Sequence, residues 1–132
     1  DFERVLNIFK PSITLVHGDT TTTMAISLAC FYKKVSVAHV EAGLRSHDLY
    51  SPFPEELNRR FISVISTLHF APTEFSKNNL LTEGVHPESI IVTGNTVIDA
   101  LLESVTRVNK CESKCPKYDS DFWLPFVILV IS

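Results

Sequence analysis

The sequence is short of glycine, of cysteine and of positive charge, and each shortage closes off a class of function. Its four glycines, at positions 18, 43, 84 and 94, are placed so that neither a G-x-G-x-x-G nor a G-x-x-x-x-G-K-[ST] nucleotide loop can be written. Twelve Lys and Arg stand against fifteen Asp and Glu, a formal charge of -3, so there is no broad basic field and no nucleic-acid partner is expected. Of three cysteines, Cys30 sits within an apolar helical pattern and reads as a small buried side chain. Cys111 and Cys115 have no histidine or further cysteine beside them, and no His/Cys spacing suggests zinc, so no metal is expected. No apolar run has the length to span a bilayer, and no signal-peptide pattern opens the chain. A cytoplasmic, reducing compartment and no membrane partner fit these features.

What is present is a chain of 132 residues, 45% apolar and 20% charged, enough for one folded domain. Phe2, Val5, Leu6 and Phe9 predict a helix over 2–9, ended by Pro11. The bounded apolar runs at 13–17, 35–40, 68–72 and 89–94, with one near 125–131, predict strands. Between them lie helical patterns. Residues 20–34 have an apolar side of Met24, Leu28, Phe31 and Tyr32. Residues 54–66 begin at Pro54 and carry a stripe of Leu57, Phe61, Val64 and Ile65, expected to face the core. A third helix is capped by Thr73 and stopped by Gly84, and a fourth is marked by Val97, Ile98, Leu101, Leu102 and Val105.

Strands alternating with helices predict an α/β fold, a parallel sheet of βαβ units with helices on both faces. Ligands in such folds collect beyond the carboxyl ends of the strands. By that rule His17, Gly18 and Asp19, then His39 and Glu41, then Thr93, Gly94 and Asn95 share one rim.

The oddest stretch on that rim is "VHGDTTTT" (16–23). Gly18 allows a tight turn, and Asp19 with the threonines lies at a helix N-terminus, where hydroxyls and free N–H groups cap the helix or hold an anion. Taken by itself, the pattern favours the commoner reading of Asp19 as a plain N-cap. In "HVEAGLRSHDLYSPFPEELNRR" (39–60), Glu41 leaves a strand on the rim, Gly43 permits close backbone approach, and Arg45 could meet a phosphate or carboxylate. Glu55 and Arg59 are four apart, as are Glu56 and Arg60, the spacing of exposed helix pairs worth ~0.3–0.5 kcal/mol. Glu55 and Arg59 project away from the Leu57/Phe61/Val64 stripe, toward either solvent or a cleft. His17, His39 and His69 fall at strand positions and read as structural. The residues alone suggest acid–base work on an anionic substrate and name none.

"VHGDTTTT", "HVEAGLRS", "YSPFPEELNRR", "HFAPTE" and "VTGNTVIDAL", in this order and spacing from about Lys10 to Leu102, resemble the non-hydrolysing UDP-N-acetylglucosamine 2-epimerases. "HVEAGLR" sets them apart from the hydrolysing relatives. The resemblance implies a Rossmann-like parallel sheet with flanking helices, part of a two-domain GT-B fold. Residues 1–94 would be the later half of the N-terminal domain and 95–132 the start of a truncated C-terminal one. A "GTRPE"-like loop and a "GHRRE"-like segment of the family are missing from these residues. The chain is therefore expected to be a fragment, inactive as an epimerase by itself.

The implied chemistry interconverts UDP-GlcNAc and UDP-ManNAc by eliminating UDP to a 2-acetamidoglucal and re-adding it. The matching carboxylates are Asp19, Glu41 and Glu55, with no choice among them for the C2 base. Thr20, Arg45, Arg59 and Asn95 are the substrate-binding candidates. No cofactor is expected, and the full-length protein would be a cytoplasmic homodimer in polysaccharide biosynthesis. The competing readings are a non-catalytic truncated remnant and a GT-B glycosyltransferase using a nucleotide sugar.

Overall fold

The computed structural model describes residues 2–110 and 129–131. In chain order the elements are α1 (Phe2–Phe9), β1 (Ile13–His17), α2 (Thr21–Tyr32), β2 (Ser36–Val40), α3 (Glu55–Ile65), β3 (Leu68–Ala71), α4 (Glu74–Thr82), β4 (Ile90–Val92), α5 (Thr96–Lys110) and β5 (Leu129–Ile131). A single 3-10 turn, Pro87–Ser89, takes the first residue of the strand expected over 89–94. Cys111, Cys115 and the first part of the strand expected near 125–131 lie outside the described residues.

The sheet runs β4-β3-β2-β1-β5. The β1–β2, β2–β3 and β3–β4 pairs are parallel, with Val16 opposite His39 and His39 opposite His69. β5 departs from the all-parallel expectation by joining β1 antiparallel, Ile13 opposite Ile131. One compact unit holds the residues up to Gly94 together with β5, and the other begins at Asn95.

The helices of the first unit do not cover both faces, as the alternation had suggested. Thr14, Val16, Val37, His39, His69, Ala71 and Ile90 share a face by register and alternation, and all are buried. Leu6 of α1, Ile26 and Cys30 of α2 and Ile62 of α3 pack with Val16 and Val37, while Leu80 of α4 packs with Ala71 and Ile90. The reason is handedness. Each βαβ step from β1 to β4 moves the same way across the sheet, so right-handed crossovers set α2, α3 and α4 on one side.

The face that α3 buries is also not the expected one. Its buried residues are Glu56, Asn58, Ile62 and Ser63. Leu57 and Phe61 are exposed, and Val64 is 84% exposed. On α2 the buried set is Thr23, Ile26, Ser27 and Cys30, with Phe31 and Tyr32 outside. α2 and α3 pack against each other, and the buried serines on them make their bonds within their own helices. Ser27 Oγ donates to Thr23 O at 2.8 Å and Ser63 Oγ to Arg59 O at 2.9 Å. Buried polar groups so satisfied cost little, so apolar periodicity alone misplaced the helix.

Candidate functional site

The threonine run resolves into two jobs. Thr20, rather than Asp19, is the N-cap of α2, its hydroxyl accepting the N–H of Thr23 at 3.2 Å. Thr23 Oγ1 donates to His17 O at 2.9 Å, tying the helix back onto the end of β1. Gly18 makes the turn between them at φ +76, and its carbonyl accepts His39 Nε2–H at 2.8 Å. His39 is buried from solvent, and burial holds its imidazole down at about 4, so it is neutral and structural at ordinary pH.

Released from capping, the Asp19 side chain turns to α3. Arg59 Nε donates to its Oδ2 at 2.9 Å, with Nη2 in ion-pair contact with the same oxygen at 2.7 Å, and Asn58 Nδ2 donates to its carbonyl at 2.8 Å. The first turns of α3 thus grip Asp19 by backbone and carboxylate together, while Oδ1 has no hydrogen bond among the described residues. Arg59 does not pair with Glu55, as the i,i+4 spacing suggested. Glu55 is half-buried at the head of α3 with no hydrogen bond or ion pair among the described residues.

Glu41 follows β2 with φ 70, a left-handed conformation uncommon outside glycine. Its carboxylate reaches the end of the neighbouring β1: Oε2 is 3.5 Å from His17 Nε2 and 3.7 Å from where a Cβ on Gly18 would stand. Asp19 and Glu41 therefore flank one turn, with Gly18 between them.

Sequence reasoning missed Glu56, whose side chain is 0% exposed. Its Oε2 accepts Ser46 N–H at 3.0 Å and Arg59 Nη1 at 3.4 Å, and its Oε1 accepts His47 N–H at 3.3 Å and Arg60 Nε at 3.1 Å. The Glu56–Arg60 pair is not an exposed helix pair. Burial pushes this carboxyl's pKa up, but the donors of Ser46, Arg60 and His47 outweigh burial and hold it below the ordinary value. The available signal was the spacing of Glu56 to Arg59, but spacing alone does not distinguish a buried hub from a surface pair.

Arg45 meets a carboxylate of the chain itself. Nε and Nη2 bind the two oxygens of Glu83, each at 2.7 Å, Nη2 also donates to Ser63 Oγ and Nη1 to Leu44 O. With its side chain 0% exposed, this guanidinium ties the loop after β2 to α3 and α4. Asn95 heads α5 in the second unit, where its carbonyl accepts Ile98 N–H. No cluster of His, Cys, Asp and Glu among the described residues could hold a metal ion.

The family model described as UDP-N-acetylglucosamine 2-epimerase matches residues 1–126. The UDP-N-acetylglucosamine 2-epimerase of Neisseria meningitidis is 64% identical over 104 residues, 79% of this chain and 28% of its own length. That of Escherichia coli K12 is 60% identical over 98 residues, 74% of this chain and 26% of its own length. The N. meningitidis crystal structure bound to UDP-GlcNAc superimposes with a TM-score of 0.80 at 61% identity, covering 82% of this chain and 29% of that one. The Methanocaldococcus jannaschii enzyme in complex with UDP-GlcNAc and UDP gives 0.79 at 48% identity, over 84% and 30%. The chain thus spans under a third of the length of these relatives.

Proposed function

The chain belongs to the UDP-N-acetylglucosamine 2-epimerase family, and from that premise we propose that it forms one carboxylate-bearing wall of the site that interconverts UDP-GlcNAc and UDP-ManNAc. The observation that carries this reading is the pairing of Asp19 and Glu41 about Gly18, with α3 bringing Arg59 onto Asp19 from a helix headed by Glu55. On the forward path a carboxylate takes the C2 proton, C1–O breaks with its electron pair leaving on UDP, and a 2-acetamidoglucal remains. A proton then returns to the other face of C2 and a UDP oxygen re-forms the bond at C1. The C2 proton is not acidic, so a positioned base and electrostatic support for the departing diphosphate are both required. Asp19 Oδ1 and the Glu55 carboxylate, without a hydrogen bond among the described residues, are the groups free to act, and Glu41 is held by its left-handed backbone. Arg45 and Thr20 take structural parts in this reading, because their polar groups are used within the chain.

Residues 1–94 would then be the later half of the N-terminal GT-B domain and 95–132 the opening of the second. The break between compact units at Gly94 supports that boundary, and the pairing of β5 with β1 counts against including β5 in the second domain. The exposed Leu57/Phe61/Val64 stripe supports a homodimer of the full-length protein. The reading carries with it a cytoplasmic place in polysaccharide biosynthesis.

The test is a chimera, the full-length N. meningitidis relative with its matched stretch replaced by that of this chain. It should convert UDP-GlcNAc to UDP-ManNAc and incorporate solvent deuterium at C2. A folded chimera that does neither overturns the proposal.

A further inference from the structure

Glu56 sits where no surface pair would be, and its position is costly unless it does something that an apolar residue could not. A buried carboxylate is expensive even when paired, and well-packed hydrophobic residues usually replace such groups without loss of stability. What it does is geometric. Two opposed carboxylates hold the Arg59 guanidinium, Glu56 Oε2 on Nη1 and Asp19 Oδ2 on Nε and Nη2. Anchored on one side only, the guanidinium could pivot about its side chain. Glu56 itself cannot move, because Ser46 N–H, His47 N–H and Arg60 Nε hold its oxygens.

We propose that Glu56 is a positioning residue: its buried carboxylate fixes Arg59, and through Arg59 it sets the direction in which Asp19 presents its free Oδ1. This rests on the epimerase reading of the site. It also gives the 46–47 loop a role, since displacement of that loop would release Glu56 and, through Arg59, Asp19.

The experiment uses the full-length chimera and a double-mutant cycle. Glu56→Gln keeps the shape of the side chain and removes its charge. It should lower kcat about 10- to 100-fold, the scale of a misplaced catalytic group, while KM for UDP-GlcNAc stays within about twofold. In an Asp19→Asn background the same change should cost at most about twofold more, because residues acting through one group are not additive. A purely structural role predicts losses that multiply, and either that outcome or near-normal kcat in Glu56→Gln overturns the proposal. Should thermal scans show that Glu56→Gln does not fold, Arg59→Lys takes its place in the cycle with the same outcomes deciding. Asp19→Asn alone with normal turnover would instead overturn the epimerase assignment of Asp19, which separates the two failures.

Discussion

Gly43 and Ser76 are in backbone contact: a Cβ at position 43 would stand 2.2 Å from the Ser76 carbonyl oxygen. Asn79 Nδ2, from the same helix, also binds this residue, donating to Gly43 O at 2.9 Å. The close approach that this glycine permits is therefore to α4, and it seats the loop that carries Glu41 and Arg45.

Gly43→Ala should lower stability by about 3 kcal/mol or more, since overpacking adds to the cost of a left-handed conformation, which Gly43 holds at φ +86. Gly84→Ala has an open surrounding and carries only the second cost, at φ +89. Denaturant melts of the two variants should differ accordingly, and equal losses would show that the α4 contact is slack.

Asp19→Asn, Glu41→Gln and Glu55→Gln should each reduce epimerisation by the chimera on the order of a hundredfold or more, the scale of a lost general acid or base. Their melting temperatures should stay close to that of the parent. Turnover near normal in all three would return these side chains to structure alone.

Stability should fall between pH 6.5 and about 4 through His39. Burial lowers its folded value to about 4, helped by His69 and Arg45 and opposed by the bond to Gly18 and the charge of Asp19. The unfolded chain, with the histidine near its ordinary value, binds the proton first as pH falls, so the contribution is complete above pH 6.5 and is lost toward 4. The full cost is about 3 kcal/mol at 1.36 kcal/mol per unit. His69, also lowered by burial, acts in the same direction. Urea melts across this range should show the loss in the parent and a shallower one in His39→Gln.

Val64→Lys should change stability by less than about 0.5 kcal/mol, as at an ordinary surface site. Ile62→Ala, two positions away, should cost about 2–5 kcal/mol, because Ile62 is fully buried against the core. A large loss at Val64 in the monomeric chain would contradict the orientation of α3.

Local chemistry was enough to read the alternation of strands and helices, the Thr73 cap, the Gly84 stop and buried Cys30, because propensity, capping and apolar runs are properties of neighbouring residues. The rim on which His17, Asp19, His39 and Glu41 gather was legible for the same reason, since a parallel sheet has one carboxyl edge. Which way α3 faced was not legible. Periodicity assigns the apolar stripe to the core, whereas here Glu56, Asn58 and Ser63 go inside because their partners come from elsewhere in the fold. Asp19 as a cap and Glu56 as a surface pair were each reasonable from spacing, and spacing left open whether Arg45 meets a phosphate or a carboxylate. Only the tertiary structure, by bringing Arg59 to a residue 40 positions away and Glu83 to one 38 away, decided which charges meet, because long-range contacts leave no local periodicity.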